Sequence, residues 1–69
     1  MTQTEKIVKY MRDFGSITTM QAFLDLGVTR LASRISELEK SGVAISREFV
    51  DGRNRYGEKV RYKRYWLEV

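Results

Sequence analysis

The sequence contains no cysteine and no histidine among its 69 residues. Their absence removes disulfide bonds, thiol nucleophiles, the usual zinc ligands and the commonest general base. A chain of this length hides only about 60% of the surface that it exposes when unfolded, so its core is small and leaves no room for a deep catalytic pocket. We therefore expect no enzyme, no metal site and no cofactor, and we expect stability to come from packing, with self-association as a further aid.

Long apolar segments are also missing. A membrane-spanning helix needs roughly 18 apolar residues in succession, and no stretch of the sequence approaches that length. The first residues, MTQTEKIVKYMRDFG, carry charges throughout, whereas a signal peptide places a basic part before an apolar one. The sequence thus predicts a cytoplasmic protein without a membrane partner.

Basic residues are concentrated towards the end of the chain. The net charge of +4 results from 13 basic and 9 acidic residues. Six of the basic residues, and only two of the acidic ones, lie in the segment DGRNRYGEKVRYKR, which runs from Asp51 to Arg64. Such asymmetry indicates an acidic partner, and nucleic acid is the first candidate.

The first two helices are predicted from capping boxes. Thr2 and Glu5 have the spacing of such a box and precede a helix at about 3–14, with Gly15 after it. TTMQ repeats the spacing before a second helix at about 19–26, which Gly27 ends. The side chains that we expect to point inward are Ile7, Met11 and Phe14 in the first helix and Met20, Phe23, Leu24 and Leu26 in the second.

A third helix is predicted at about 30–41, with Thr29 as its N-cap and Gly42 as its terminator. At about 100° per residue, its apolar side chains fall on one face. These are Leu31, Ile35 and Leu38. The outward face is polar, and its first turn is basic.

After Gly42 the helical period gives way to alternation. VAISREFV and VRYKRYWLEV are rich in β-branched and aromatic residues and predict antiparallel strands at about 44–50 and 59–67. DGRNRYGEK, between them, contains Asp-Gly and Tyr-Gly turn signals. We place Tyr65 and Leu67 on the core face of the second strand, and a one-residue slip of register would exchange the two faces. The side chains assigned to the other face are Val60, Tyr62, Arg64 and Trp66.

The second and third helices are joined through FLDLGVTRLA, which bends at Gly27 as a helix-turn-helix motif does. A basic hairpin after such a motif makes a winged helix. The sequence therefore predicts one domain at residues 1–69 with an α+β fold that is mostly α. It consists of three helices followed by a two-stranded β-hairpin wing.

The sequence also resembles small helix-turn-helix proteins of bacteriophages and other mobile elements. The segments that carry the resemblance are TQTEKIVKYM, GSITTMQAFLDLGVTRLASRISELEKSG and RYGEKVRYKRYWL, which cover nearly the whole chain. The resemblance implies a winged-helix fold that binds duplex DNA sequence-specifically, with the third helix in the major groove. It also implies a bacterial host cell.

Side chains at the start of the third helix suit base readout. The major groove admits a helix, and residues near the helix start reach base edges first. Arg30 and Arg34 have the fork geometry that engages guanine, while Thr29 and Ser33 are short enough to bond phosphates or base edges.

The wing suits the DNA backbone. Arg53, Arg55, Lys59 and Arg61 are expected to lie along phosphates or to place an arginine in the minor groove. About four phosphate contacts would make log K fall with log salt at a slope near −3.6. The alternative, non-functional interpretation is a solvated hairpin whose charges prevent its exposed strand edge from pairing with other molecules.

Three functional hypotheses follow. The leading one is a phage or mobile-element transcriptional regulator, bound as two copies that touch through Tyr62 and Trp66 or around Tyr10. The second is an excisionase-like architectural protein that bends DNA for an integrase. The third is a winged-helix module that binds a host protein, which Glu37 and Glu39 favour because they oppose approach to phosphate.

Overall fold

The computed structural model describes residues 1–68 of the chain. Its helices and strands are, in order, α1 (Gln3–Phe14), β1 (Ile17–Thr18), α2 (Thr19–Leu26), α3 (Leu31–Lys40), β2 (Ile45–Arg53) and β3 (Lys59–Leu67). The order confirms the predicted α+β fold of three helices and a terminal hairpin, and the bounds of α1, α2 and β3 coincide with the predicted ones. Within residues 1–68, no helix combines the length and apolar character needed to cross a bilayer.

The sheet has three strands where the sequence predicts two, in the order β1-β3-β2. The additional strand, β1, pairs antiparallel with β3, so that Ile17 lies opposite Tyr65 and Thr18 opposite Arg64. A strand of two residues is too short to show alternation in the sequence. Ile17 is fully buried beside Tyr65, so β1 closes one edge of the core.

The capping boxes of α1 and α2 form as predicted. The hydroxyl of Thr2 accepts a hydrogen bond from the Glu5 N–H at 3.2 Å, and the Thr2 N–H donates to Glu5 Oε1 at 3.0 Å. The pKa of Glu5 lies below its ordinary value. The larger cause is the hydrogen bond between its carboxylate and the Thr2 backbone, and the smaller is the hydrogen bond with the Thr2 side chain. Thr18 and Gln21 make the same two bonds at the start of α2.

Helix α3 is shorter than predicted and is capped differently. Arg30, with φ −124° and ψ 57°, is the N-cap in place of Thr29, and none of the described side chains caps the helix start. Val28 explains the shift, because it is fully buried and its N–H bonds to the Ala22 carbonyl at 3.0 Å, which holds the chain in the turn. At the other end Ser41 is the C-cap, and Gly42 follows with φ +100°.

The core lies between the helices and one face of the sheet. Its side chains are those of Ile7, Tyr10, Met11, Ile17, Ala22, Val28, Leu31, Ile35, Leu38, Ile45 and Tyr65. All three predicted inward residues of α3 belong to it. Leu67 packs against it beside the buried Tyr65, which confirms the predicted core face of β3.

Helix α2 buries a different face from the predicted one. Met20, Phe23 and Leu24 are 65%, 53% and 69% exposed, whereas Ala22 is fully buried and Leu26 packs partly against the core. Apolar residues surround most of this eight-residue helix, so its periodicity does not select one face. The small side chain of Ala22 allows the helix to approach the core closely, and the larger apolar side chains are left outside.

Tyr10 links α1 to α2. Its hydroxyl donates a hydrogen bond to Asp25 Oδ2 at 2.5 Å, and this bond is the main cause that raises the pKa of Tyr10. The side chain is buried, so the prediction that copies touch around Tyr10 is wrong for this residue. Phe14, predicted to point inward, packs at a tilt against the Tyr10 ring with centroids 4.7 Å apart. It is itself exposed, because it stands at the last position of α1.

The hairpin of β2 and β3, residues 45–67, is the wing. Strand β2 continues to Arg53, beyond the predicted end at residue 50, so Asp-Gly is not the turn. A Cβ at Gly52 would lie 3.2 Å from Cε1 of Tyr62, so the glycine lets the tyrosine ring pack closely over the strand. The turn comprises residues 54–58, where Asn54 Oδ1 accepts hydrogen bonds from the N–H groups of Tyr56 and Glu58 at 3.0 Å.

Candidate nucleic-acid interface

The four predicted recognition residues meet at the N-terminal end of α3. Thr29 and Arg30 are exposed in the segment that leads into the helix, and Ser33 is exposed in its first turn. Arg34 follows within the helix, with its side chain 31% exposed. The helix places Arg30 beside Ser33 and Arg34, three and four positions later.

Arg34 is paired with Glu37 on the next turn. Nη1 of Arg34 donates to both carboxylate oxygens of Glu37, at 2.8 and 2.9 Å, while Nε is buried without a hydrogen-bond partner among the described residues. The carboxylate therefore fixes the direction of the guanidinium group. A pair this exposed is worth only about 0.5 kcal/mol, so a guanine edge or a phosphate is able to replace Glu37 as the partner.

The register of the wing sorts its side chains onto two faces. Residues directly opposite each other in an antiparallel pair share a face, and successive residues along a strand alternate between faces. We call one of these sets the basic wing face. Beyond the core residues Ile45, Tyr65 and Leu67, which lie on the same side of the hairpin, it consists of Arg47, Phe49, Asp51, Arg53, Lys59, Arg61 and Lys63.

Phe49 organises the cations of the basic wing face. The guanidinium carbon of Arg61 is 4.5 Å from the centroid of the Phe49 ring, and Nζ of Lys63 is 5.5 Å from it. Arg61 Nε also lies 3.5 Å from Asp51 Oδ1, in an ion pair that is more than half exposed. The ring attracts both cations electrostatically and restricts where they point, while leaving them in contact with solvent.

The sequence of nearly the whole chain matches a known protein family. A family model described as a winged helix-turn-helix domain matches residues 2–69. The chain belongs to the winged helix-turn-helix domain family. This family binds DNA and is typically non-enzymatic, so the chain is a DNA-binding domain. No curated protein and no solved structure shows a match to it.

Within this winged helix-turn-helix domain, the four wing residues predicted from the sequence lie in the outer half of the hairpin. Arg53 and Lys59 are cross-strand partners, Arg61 is two residues further along β3, and Arg55 lies in the turn. Nη1 of Arg53 donates to the Gly57 carbonyl at 2.9 Å, so Arg53 also closes the turn.

Two cations of the basic wing face, Arg47 and Lys63, were not among the predicted site residues. Lys63 continues the alternation of Lys59 and Arg61, and this spacing of two was the signal in the sequence that identifies it. Arg47 had no such signal, because its partners come from elsewhere in the fold. Its guanidinium pairs with Glu39 of α3 at 2.5 Å and lies 5.4 Å from the Tyr65 ring centroid, which ties the base of the wing to the helix.

The chemistry of this surface is that of anion binding. Guanidinium and ammonium groups donate several hydrogen bonds to phosphate and to guanine edges. Among residues 1–68, no group of three or more histidine, cysteine, aspartate or glutamate side chains is placed to hold a metal ion.

Proposed function

We propose that this winged helix-turn-helix domain binds duplex DNA sequence-specifically and regulates transcription in a phage or mobile element. The start of α3 enters the major groove, and the basic wing face lies on the backbone or in the minor groove. The observation that carries the proposal is the concentration of positive charge on one side of the wing. Five cations and one acid lie together on the exposed basic wing face. Edge protection alone needs only a charge or two.

In this proposal, α3 provides the sequence readout. Arg30 and Arg34 donate to guanine O6 and N7, and Thr29 and Ser33 bond nearby phosphates or base edges. The helix start supports this role, because its first N–H groups have no side-chain cap within the described chain and are free to donate to a phosphate. In the free protein the carboxylate of Glu37 holds the guanidinium of Arg34 along the helix, and on DNA a base edge takes the place of that carboxylate.

The wing provides affinity that does not depend on sequence. Arg53, Arg55, Lys59 and Arg61 neutralise phosphates, and Lys63 is added to them because it shares the ring of Phe49 with Arg61. Each neutralised phosphate makes the slope of log K against log salt concentration steeper by about 0.9. Engagement of about four phosphates gives the slope near −3.6.

We further propose that two copies occupy each regulatory site. The longest dimension of the fold is 39 Å, little more than one helical turn of about 34 Å of duplex. So short a footprint rarely supports the affinity of a natural operator. Of the two residues predicted to join the copies, Trp66 remains the proposed contact, because Tyr62 lines the groove between the wing and α2. Sedimentation that shows a single copy, both free and on DNA, would remove this part of the proposal.

The experiment that tests the proposal is selection of bound duplexes from a random DNA pool, at low and at near-physiological salt. Enrichment of one motif at both salts would establish sequence readout, and the symmetry of the motif would report the number of copies. Arg34→Ala should weaken the enrichment of that motif, and Arg12→Ala, which removes an exposed charge at the end of α1, is its matched control. Retention of duplexes at low salt only, with no motif, would contradict the proposal.

The excisionase-like alternative predicts a different result with the same reagents. An architectural protein bends the duplex on tandem sites and requires an integrase for its effect. A transcriptional regulator blocks a promoter on a straight duplex. Bending measured by circular permutation of the selected site therefore separates the two hypotheses.

A further inference from the structure

An apolar groove of about 760 Å³ separates α2 from the wing. One wall carries Met20 and Phe23 of α2, and the other carries Val60 and Tyr62 of β3. Val60 and Tyr62 are 37% and 42% exposed, and the two α2 side chains more than half. A contiguous exposed apolar surface of this kind marks an interaction site, because its burial against a partner is favourable.

The charge of the groove restricts what fills it. Arg53 belongs to the basic wing face by register but also reaches the rim of the groove, where it is the one charged lining residue in the described part of the chain. Lys59 is its cross-strand partner. A second copy that docks groove to groove would bring two Arg53 side chains together, and like charges repel. A partner with carboxylates beside apolar side chains complements both the rim and the walls.

We propose that this groove is a docking site for an amphipathic acidic helix of another protein. Apolar side chains of the helix, spaced at i, i+3 or i+4 and i+7, enter between Phe23 and Tyr62. An aspartate or glutamate of the helix pairs with Arg53. A volume of about 760 Å³ has the size of a ligand-binding cleft and accommodates more than one bulky side chain.

Occupation of the groove excludes DNA, a consequence that rests on the function proposed above. Thr29 and Arg53 line the groove, and both are proposed DNA contacts. A duplex that touches both residues spans the mouth of the groove. The docked helix takes Arg53 away from phosphate and adds its own negative charge, so it acts as a regulator that releases the domain from its site.

The first test is selection of a displayed library of helix-forming peptides on the full chain, followed by titration of the enriched peptides. We expect the enriched peptides to have apolar residues at i, i+3 or i+4 and i+7, with an aspartate or glutamate next to this apolar face. Phe23→Ser should weaken their binding about tenfold or more, since Phe23 is an anchor of the groove. Leu24→Ser is the matched control, because Leu24 is exposed on the same helix but does not line the groove.

A second pair of variants guards against an effect on folding. Tyr62→Ala should weaken peptide binding, whereas Tyr56→Ala, at the exposed tip of the wing, should not. Failure to enrich peptides, enrichment of basic ones, or equal binding by wild type and Phe23→Ser would overturn the docking site. A dimer in sedimentation that Phe23→Ser dissociates would also overturn it, since a second copy would then be the occupant.

Exclusion of DNA is measured separately, by adding an enriched peptide to the chain bound to a random duplex at low salt. We expect release of the duplex as the peptide saturates the groove. A ternary complex of chain, peptide and duplex would overturn the exclusion. A chain that binds no duplex under any condition would contradict the proposed function, while the peptide titration would still decide the docking site.

Discussion

The two faces of the wing differ in chemistry although the same two strands supply both. The basic wing face carries cations grouped around Phe49. The opposite face carries the ion pair of Glu48 and Arg64 near its base and Val50, Val60 and Tyr62 further out, where Gly52 leaves space for the tyrosine ring. Because a strand alternates its side chains, neighbouring residues serve different partners, and a single hairpin presents an anion-binding surface and an apolar wall.

The difference between the faces is clearest in how each holds its side chains. On the basic wing face, Phe49 restrains Arg61 and Lys63 but leaves them solvated. On the apolar face, Val60 and Tyr62 lie across a groove from α2, whose own apolar side chains are turned outward. The comparison separates the residues whose loss should weaken DNA binding from those whose loss should not.

The largest effect is expected from removing the cations of β3 together. In the triple variant Lys59→Ala, Arg61→Ala and Lys63→Ala, the salt slope of DNA binding should become shallower by about 2.7, and affinity near 0.1 M salt should fall roughly hundredfold. Fluorescence anisotropy with one labelled duplex over a salt series measures both. Val60→Thr, on the other face, is the control, and an unchanged slope in the triple variant would show that the wing does not contact phosphates.

The next effect concerns the division of labour between α3 and the wing. Arg34→Ala should cost about 1–3 kcal/mol on the selected site and much less on random DNA, because it removes a base contact. Arg55→Ala should weaken both by a similar factor. Parallel titrations of the two duplexes decide the matter, and equal losses for Arg34→Ala would contradict base readout by this residue.

A smaller effect is expected at the junction of α1 and α2. Tyr10→Phe removes the hydrogen bond to Asp25 and should lower the free energy of unfolding by about 1–2 kcal/mol at neutral pH. The pKa of Tyr10 is raised by folding, so the contribution is fully present below the ordinary value of about 10 and is lost as pH rises through the folded value. Urea titrations at pH 7 and at alkaline pH check this. A difference between wild type and variant that grows with pH would contradict the assignment.

The smallest effect is expected at Phe49. Phe49→Leu retains apolar bulk but removes the π face that orients Arg61 and Lys63, so ordering these two cations on phosphate should cost about 0.5–1 kcal/mol more. DNA affinity should fall about twofold to fivefold, with little change in stability because the ring is exposed. Tyr56→Leu is the control in the anisotropy assay. An identical affinity for both variants would mean that the ring does not orient the cations.

The parts of the fold that the sequence predicted well are those with local signals. The capping boxes at Thr2 and Thr18 and the glycines that follow set the bounds of α1 and α2, and the stripe of Leu31, Ile35 and Leu38 set the buried face of α3. These features depend on residues three or four positions apart, so they can be predicted from the sequence without knowledge of the tertiary structure.

The parts that the sequence did not predict depend on distant contacts. Strand β1 exists through its pairing with β3, and the exposed face of α2 follows from the fit of Ala22 against the core. The N-cap at Arg30 follows from the burial of Val28. The apolar groove could not be predicted for the same reason. It depends on the orientation of α2 and on the register of the wing, and both are set by contacts between distant residues.

The central claim, that the start of α3 and the basic wing face bind DNA together, is tested most directly by NMR of the arginine Nε–Hε groups. Each of these signals reports one side chain as duplex is added. We predict that the signals of Arg30, Arg34, Arg53 and Arg61 shift together, while those of Arg12 and Arg64 stay in place. Shifts spread equally over these six of the eight arginines, or confined to Arg12 and Arg64, would contradict the claim.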